Sequence, residues 1–206
     1  MFPEELVNTC KKRMEPFDCE GFVFGQGPIN PPVMFVGEAP GETEIQNGIP
    51  FSGMAGKEFI QFLHYLGYER KDVYITSAVR SRPFQWKERV NKEPRKYNRT
   101  PTKKETAAHA PLLDFEIQYT VPKIIAPMGK VAFSRLLGKQ EKMAEVTGKQ
   151  IDSPILKMTD EKTNRYEFTA QHYTIFPIYH PAAVLYNRSL ESIIYSHLDK
   201  LKELIR

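Results

Sequence analysis

Four short apolar segments alternate with helical patterns along this chain of 206 residues. The first three, VMFV, VYIT and KIIAP, are nearly continuous apolar runs, which are typical of strands buried on both faces of a parallel sheet. The fourth is YTIFPIYH. The alternation predicts a sheet between two layers of helices. We therefore expect an α/β fold: a three-layer α/β/α sandwich with a central four-stranded, mainly parallel sheet, its strands at residues 33–36, 73–76, 123–127 and 173–180.

The segments between these runs carry helix signals. MAGKEFIQFLHYLG has apolar residues at helical spacing and ends at Gly67, a residue suited to a C-terminal cap. TKKE, from Thr102 to Glu105, is a capping-box pattern, and we expect Pro111 to interrupt the helix that it opens. GKVAFSRLLG predicts a short helix, and residues 189–205 carry one apolar stripe.

Composition limits the class of protein. The length suits a single domain over residues 1–206, and 26% charged residues are typical of a globular protein. No apolar run approaches the roughly 20 residues of a membrane span, and the first residues lack a signal-peptide core, so we expect a cytoplasmic protein without a membrane partner. A net charge of +4 permits a polyanionic partner without requiring one.

The loop after the first apolar run is GEAPG. In open parallel sheets the ligand site lies at the carboxyl ends of the strands. Gly37 and Gly41 allow the backbone to approach a ligand, and Pro40 stiffens the turn between them. The spacing matches neither a dinucleotide fingerprint nor a P-loop. Taken alone, the loop is a tight turn or a cradle for a flat polar ring or a phosphate.

Two further residues are candidates for the same edge. Phe51 lies ten residues after Gly41 without a regular element between them, so it is either core or the roof of a pocket where its ring stacks on a base. His180 is placed at the end of the last predicted strand, and Pro181 holds it in an extended conformation. A lone histidine is structural or catalytic on this evidence.

Two segments are predicted to be insertions or loops. Residues 84–101 hold many charges and two prolines, and basic and aromatic residues are interleaved there. Such a loop suits a phosphate backbone, but it is equally typical of a solvated surface loop, because two glutamates dilute its charge. Residues 148–171 are interpreted as a β-hairpin that turns near DEKTN.

The combination of GEAPGETEIQNGIPFSGMAG with a distant HPAA resembles the uracil-DNA glycosylase superfamily, most closely its iron–sulfur branch. VYIT and NRTPT are similar to the middle segment of that family. The resemblance runs from about Val33 to the end of the chain and implies a four-stranded parallel sheet between helices. It also implies an enzyme that flips a deoxyuridine out of DNA and hydrolyses the bond between base and sugar.

The resemblance implies roles for individual residues. His180 would donate a hydrogen bond to the departing uracil, and Phe51 would stack on it. Glu38 and Glu44 are the candidate carboxylates, and we favour Glu44 for ordering the water. The loop residues Gly37, Ala39, Pro40 and Gly41, together with Ser77, would bind the base.

The same resemblance places DNA near the last motif, where Leu185 or Tyr186 would fill the gap left by the flipped base. We also assign Arg80, Arg82, Asn98 and Arg99 in the middle segment to DNA binding. The implied partner is DNA, double- or single-stranded, and the expected state is a monomer.

The chain departs from the family where the iron–sulfur branch has four cysteines. Cys10 fits the first position, but Arg13, Ser81 and Ala110 stand at the other three, and the remaining Cys19 is not one of them. Such a cluster needs four thiolate ligands. We therefore predict no cluster and no metal or other cofactor, and expect other packing, such as that of Phe17, in its place.

A second departure is Ser77, where the family often has an asparagine that reads the base edge with a donor and an acceptor. A third is the long middle loop. A covalently trapping branch has a histidine before Lys-Thr-Pro, whereas this chain has Asn98 before Arg-Thr-Pro, so we expect no covalent trapping.

The leading hypothesis is a DNA glycosylase that acts on uracil or a related deaminated base, and the departures leave two alternatives to it. One is a non-catalytic nucleic-acid-binding protein on the same fold. The other, which keeps only the fold, is a protein that binds or hydrolyses a free nucleoside or nucleotide.

Overall fold

The computed structural model describes residues 2–138 and 140–206, and eight α-helices are present in them. The predicted helix ends are confirmed: Thr102 and Glu105 form the capping box, and Gly67 caps its helix with a φ of 85°. The helices are α1 (Glu4–Met14), α2 (Glu42–Asn47), α3 (Met54–Leu66), α4 (Lys103–Thr120), α5 (Lys130–Leu137), α6 (Met143–Val146), α7 (Ala182–Tyr186) and α8 (Leu190–Ile205).

The strands form two sheets. The strands are β1 (Cys19–Glu20), β2 (Val33–Gly37), β3 (Tyr74–Ser77), β4 (Arg82–Arg89), β5 (Lys92–Asn98), β6 (Ile124–Pro127), β7 (Ile151–Asp160) and β8 (Arg165–Ile175). The central sheet has the order β3-β2-β6-β8-β7, and the other has the order β1-β4-β5.

The central sheet confirms the predicted α/β class. Its four predicted strands, β3, β2, β6 and β8, pair in parallel, with Phe35 opposite both Ile75 and Ala126. A fifth strand, β7, adds an antiparallel edge by pairing with β8, so the predicted hairpin between residues 148 and 171 is confirmed. β8 begins earlier than predicted and ends at Ile175, five residues before His180.

Successive residues of β2 face opposite layers, because side chains alternate along a strand. Val33 and Phe35 pack in one core with α3 and α8, whereas Met34 and Val36 pack in another with α4 and α5. All four side chains are fully buried. Helices therefore cover both faces of the sheet, as the three-layer prediction requires.

Residues 84–101, expected to form a loop, are instead mostly a hairpin. β4 and β5 pair from Phe84 opposite Asn98 to Arg89 opposite Lys92. The pairing could not be predicted from the sequence, because the two strands carry mostly charged side chains and show no alternation of apolar and polar residues. The hairpin has no buried face beyond Phe84, so its pattern was not that of a half-buried strand.

α4 runs through Pro111, which corrects the prediction that the helix is interrupted there. A proline inside a helix leaves the carbonyl four residues earlier without its N–H donor. Here that carbonyl belongs to Ala107, and the guanidinium of Arg13 donates to it at 3.0 Å. The same guanidinium bonds Asn164 at 2.6 Å and Glu161 at 3.3 Å in the β7–β8 turn. Arg13 therefore joins α1, α4 and that hairpin.

No helix in the part of the chain that the structure describes is both long and apolar enough to cross a membrane.

Candidate active site

A cleft of about 340 Å³ opens at the carboxyl ends of β2 and β3. The loop after β2, the loop before α3 and the segment after β8 converge there. The cleft is lined by Val23, Ala39, Pro40, Gly41, Glu42, Thr43, Glu44, Pro50, Phe51, Gly53, Met54, Ala55, Ser77, Asn98, His180, Ala182, Leu185 and Tyr186.

His180 lies in the cleft wall with its protonation state determined by its surroundings. Nδ1 accepts a hydrogen bond from the backbone N–H of Ala182 at 3.2 Å, so Nδ1 carries no proton and the neutral ring holds it on Nε2. Burial lowers the pKa of His180 to about 4, against the opposing effect of Glu44. At neutral pH the ring is therefore an uncharged hydrogen-bond donor through Nε2.

Phe51 presents its ring beside His180, with 5.5 Å between the ring centroids. The other side of the ring packs on Phe59 at 5.0 Å, so Phe51 is both core and cleft wall. A Cβ on Gly37 would lie 2.6 Å from this ring, which explains the glycine at the end of β2. Phe51 itself has a φ of 52°, a strained value for a residue with a side chain.

Arg70 supports this strained segment, and the sequence carried no signal for it. Its guanidinium donates to the carbonyl oxygens of Phe51, at 3.1 Å, and of Pro50. Arg70 follows α3 along the chain and belongs to no motif, so only the fold brings it under the loop. The arrangement holds the Phe51 backbone in a conformation that local preference disfavours.

The Glu44 carboxylate joins the two loops at the cleft, the one after β2 and the one before α3. One carboxylate oxygen accepts the N–H groups of Ser52 and Gly53, at 3.0 and 2.8 Å, and the other accepts that of Gly41 at 3.1 Å. The side chain is buried but still lines the cleft. A carboxylate with three backbone donors orders the two loops at once.

Glu38, the other candidate carboxylate, is not among the residues that line the cleft. Burial raises the pKa of its carboxyl group, and the hydroxyl of Thr100 opposes that rise by a hydrogen bond. The geometry favours Glu44 over Glu38 for direct contact with a ligand.

Ser77 and Asn98 supply the remaining polar atoms. The Ser77 hydroxyl donates to the carbonyl of Val79 at 2.8 Å, so its lone pairs are what it offers to a ligand. The Asn98 carbonyl oxygen accepts from Arg82 at 2.6 Å, and its amide nitrogen lies 3.1 Å from where a Cβ on Gly41 would be. Asn98 therefore belongs to the cleft itself, beside the GEAPG loop.

Two of the arginines that we assigned to DNA binding are buried, which corrects that prediction. Arg80 is 0% exposed and pairs with Glu116 under the sheet. Arg82 is 3% exposed and bonds Glu20 at 2.8 Å as well as Asn98. A buried charge needs such partners, and the sequence does not show them.

Arg99 is also used in an ion pair within the protein, although its side chain is partly exposed. It holds Glu105 through two hydrogen bonds of 2.6 and 2.8 Å, and it also donates to the carbonyl of Phe84. Its guanidinium fastens the base of the β4–β5 hairpin to α4, which argues against its predicted role in binding DNA.

Leu185 and Tyr186 lie at the rim of the cleft, and their contact with DNA stays a prediction. They line the cleft from α7, and their side chains are 45% and 88% exposed. An apolar side chain exposed at the rim of a cleft is available for contact with a partner. Met54, 76% exposed at the start of α3, is a further rim residue that no sequence motif singled out.

The positions of the expected cluster ligands do not fit an iron–sulfur cluster. Cys10 is buried, and burial raises the pKa of its thiol to about 11, so it is not held as a thiolate. Arg13, Ser81 and Ala110 offer no thiolate, while four are needed. No group of three or more His, Cys, Asp or Glu residues suited to a metal occurs in residues 2–138 and 140–206.

Side chains pack against one another near these positions, beside a surface pocket that Phe17 and Ser81 line. His109 lies buried with its Nδ1 accepting from the backbone N–H of Arg80 at 3.4 Å, and Ser81 lies 3.5 Å from its Nε2. Phe17 packs in a small core with Met14, as we expected of it. Protein packing and Arg13 thus join the elements in this region.

The fold and cleft define an α/β protein with a neutral histidine, an aromatic ring and a glycine-rich loop around one polar pocket. The model of the uracil DNA glycosylase superfamily matches residues 24–203. The chain therefore belongs to the uracil DNA glycosylase superfamily.

Individual relatives cover nearly the whole chain. It is 34% identical over 206 residues to the type-4 uracil-DNA glycosylase of Sulfurisphaera tokodaii, covering 98% of this chain and 82% of that protein. The type-4 enzyme of Thermotoga maritima is 33% identical over 205 residues, covering 98% and 92%. That of Saccharolobus solfataricus is 33% identical over 180 residues, covering 87% and 74%.

Proposed function

We propose that this protein is a uracil-DNA glycosylase that hydrolyses the bond between C1′ of the sugar and N1 of uracil in DNA. The observation that carries the proposal is the neutral His180, whose Nε2 is the donor on one side of the cleft, next to the Phe51 ring. Membership of the superfamily and relatives named type-4 uracil-DNA glycosylases support the same activity.

Recognition of the base rests on few groups. A uracil rotated out of the duplex stacks on Phe51, while the backbone of the Gly37–Gly41 loop approaches its edge. Ser77 offers an acceptor to the N3–H of uracil, since its own proton is held by Val79. Asn98 adds an amide donor from β5. Together, Ser77 and Asn98 supply the acceptor and the donor that a single asparagine at position 77 often supplies in the family.

Bond cleavage leaves both electrons of the C1′–N1 bond on uracil, and the sugar becomes oxocarbenium-like. His180 donates from Nε2 to the uracil oxygen on which negative charge develops. A neutral donor in a buried wall stabilises that charge without transferring a proton. A water then bonds to C1′ and loses a proton to solvent, and the uracil anion takes up a proton from solvent after it leaves. The products are uracil and an abasic site.

Glu44 acts on the sugar side. Its Oε2 accepts one backbone N–H, so a lone pair remains for the attacking water. Its negative charge also favours the positive charge on the sugar. We therefore propose Glu44, and not Glu38, as the carboxylate that orders the attacking water.

We further propose that the chain holds no iron–sulfur cluster, because the ligand positions hold one thiol, a guanidinium, a hydroxyl and a methyl group. Protein purified anaerobically should contain no stoichiometric iron and show no visible absorbance from a cluster. Iron near the stoichiometry of a cluster, lost together with that absorbance on oxidation, would overturn the proposal.

Because its proposed substrate is DNA, we place the protein in the cytoplasm with the genome, acting as a monomer on single- or double-stranded DNA. Met54 and Tyr186 line the cleft and are exposed, so the rim is accessible to either substrate.

Oligonucleotides carrying U·G, U·A or single-stranded U, followed by alkali, test the activity. Strand breaks at the uracil position support the proposal. Retained, salt-sensitive DNA binding without base release would replace it by the non-catalytic binding protein. Release of uracil from deoxyuridine, but not from DNA, would indicate a nucleoside hydrolase.

A further inference from the structure

The β4–β5 hairpin is a two-stranded ribbon whose outer part projects from the protein. Cross-strand pairs run from Phe84–Asn98 at its base to Arg89–Lys92 beside the turn at Val90 and Asn91. From Gln85 to Glu88 every side chain is exposed. An antiparallel ribbon of this kind is narrow enough to enter a groove of DNA.

The hairpin carries the basic excess of the whole chain. Residues 82–99 contain seven lysines and arginines and two glutamates, a net charge of +5, whereas the chain has +4. All other residues together are therefore slightly acidic. A segment with this excess of positive charge attracts a polyanion.

The basic residues at the base and at the tip do different things. Arg82 and Arg99, at the base, are used in buried or partly buried ion pairs with Glu20 and Glu105. Toward the tip, Lys87, Arg89 and Lys92 form no ion pair with a carboxylate in the described part of the chain. Lys87 contacts the Tyr97 ring instead, with 5.2 Å between its Nζ and the ring centroid. A phosphate can therefore pair with these three charges without displacing a carboxylate.

The hairpin rises from the wall of the cleft. Asn98, the last residue of β5, lines the cleft, and Arg95 reaches the cleft residue Glu42 at 2.9 Å. Trp86 lies on the same face of the ribbon as Asn98, because the pairs Phe84–Asn98 and Trp86–Lys96 share a face. Its ring is 60% exposed. The ribbon face that carries Trp86 therefore leads to the cleft residue Asn98, while Lys87 lies on the opposite face.

We propose that the β4–β5 hairpin is a DNA-binding arm, which rests on the proposed function of the cleft beside it. Lys87, Arg89 and Lys92 contact phosphates of the strand that flanks the flipped nucleotide, and Trp86 stacks on an unpaired base of single-stranded DNA. The competing explanation is an edge strand whose charges only prevent pairing with other chains.

The test is the salt dependence of DNA binding. A variant with Lys87→Gln, Arg89→Gln and Lys92→Gln is compared with wild type on an oligonucleotide without uracil. The matched control carries Lys149→Gln, Lys162→Gln and Lys200→Gln, which removes the same charge from exposed positions outside the hairpin and cleft. We expect the slope of log Kd against log salt to fall by about 2 to 3 in the hairpin variant and by less than about 1 in the control.

Equal slopes in the hairpin variant and the control would overturn the arm. Trp86→Ala should weaken binding of single-stranded DNA by about fivefold or more, and unchanged affinity would overturn the stacking contact. Since binding is measured without uracil, it is independent of excision. If the wild type excises uracil but the hairpin variant has the same salt slope as wild type, the DNA-binding arm is refuted and the glycosylase is not. If the hairpin variant has a smaller salt slope but the wild type excises no uracil, the glycosylase is refuted and the arm is not.

Discussion

Nδ1 of His180 accepts the backbone N–H of Ala182 at 3.2 Å. This one bond, formed with a residue two positions along the chain, selects the tautomer and leaves Nε2–H as the ring's donor. The short segment HPAA thus holds both the ring that we propose as the donor to uracil and the group that orients it.

Replacing His180 by alanine removes that donor. We expect the single-turnover rate of uracil excision to fall by about 10²- to 10³-fold, the usual loss when one donor to a developing negative charge is removed. Affinity for DNA without uracil is the control and should change by less than about twofold. An unchanged excision rate would remove His180 from the mechanism.

The pH dependence distinguishes a neutral donor from a proton-transferring imidazolium. Burial lowers the pKa of His180 to about 4, so the fraction of neutral ring falls only as the pH drops through that value. The ratio of wild-type to His180→Gln rates should therefore be constant from about pH 8 down to about pH 5 and change only as the pH approaches 4. A ratio that declines steadily above pH 5 as the pH rises would show that the charged form is the active one.

Ser77→Ala removes the acceptor proposed for the base edge. Because a neutral hydrogen bond contributes about 0.5 to 1.5 kcal/mol, excision should slow by about 2- to 12-fold. The loss should be in the rate for uracil and not in affinity for undamaged DNA. Ser77→Thr, which keeps the hydroxyl, is the matched control, and equal losses in both variants would count against the hydrogen bond.

Arg13 and Pro111 should be coupled through the Ala107 carbonyl. Arg13→Ala leaves that carbonyl without a donor and should lower the free energy of unfolding by about 1 to 3 kcal/mol. Pro111→Ala supplies an N–H at the position that donates to Ala107 in a regular helix.

The double-mutant cycle is read by denaturant unfolding. We expect Arg13→Ala to cost less in the Pro111→Ala background than in wild type. Equal costs in the two backgrounds would mean that Arg13 stabilises the fold only through its contacts with the β7–β8 turn.

Leu185 should matter for duplex DNA more than for single strands. An apolar side chain at the rim can occupy the space that a flipped nucleotide leaves in a duplex, and single-stranded DNA has no such space. Leu185→Ala should therefore slow excision from U·A duplexes by several-fold more than excision from single-stranded U. Equal effects on both substrates would argue against the role of filling the gap.

Local signals along the chain were sufficient for the layers of the fold. The apolar runs at β2, β3 and β6 have the length and composition of strands buried on both faces, and the capping box at Thr102 and Glu105 is read directly from spacing. The prediction for Pro111 was wrong because its local preference is overridden by a guanidinium from a distant helix. The β4–β5 hairpin could not be predicted because its charged strands have no apolar face to reveal them.

The sequence by itself determined which residues come together after β2 and before α7, because GEAPG, Phe51 and His180 each follow a strand or precede a helix at the same edge of a parallel sheet. Only the tertiary structure decided what each polar group does. Arg80 and Arg82 look like DNA ligands in the sequence but are buried ion-pair partners, whereas Asn98 enters the cleft. The reason is physical: the role of a charge depends on its burial and partners, which residues far apart along the chain supply.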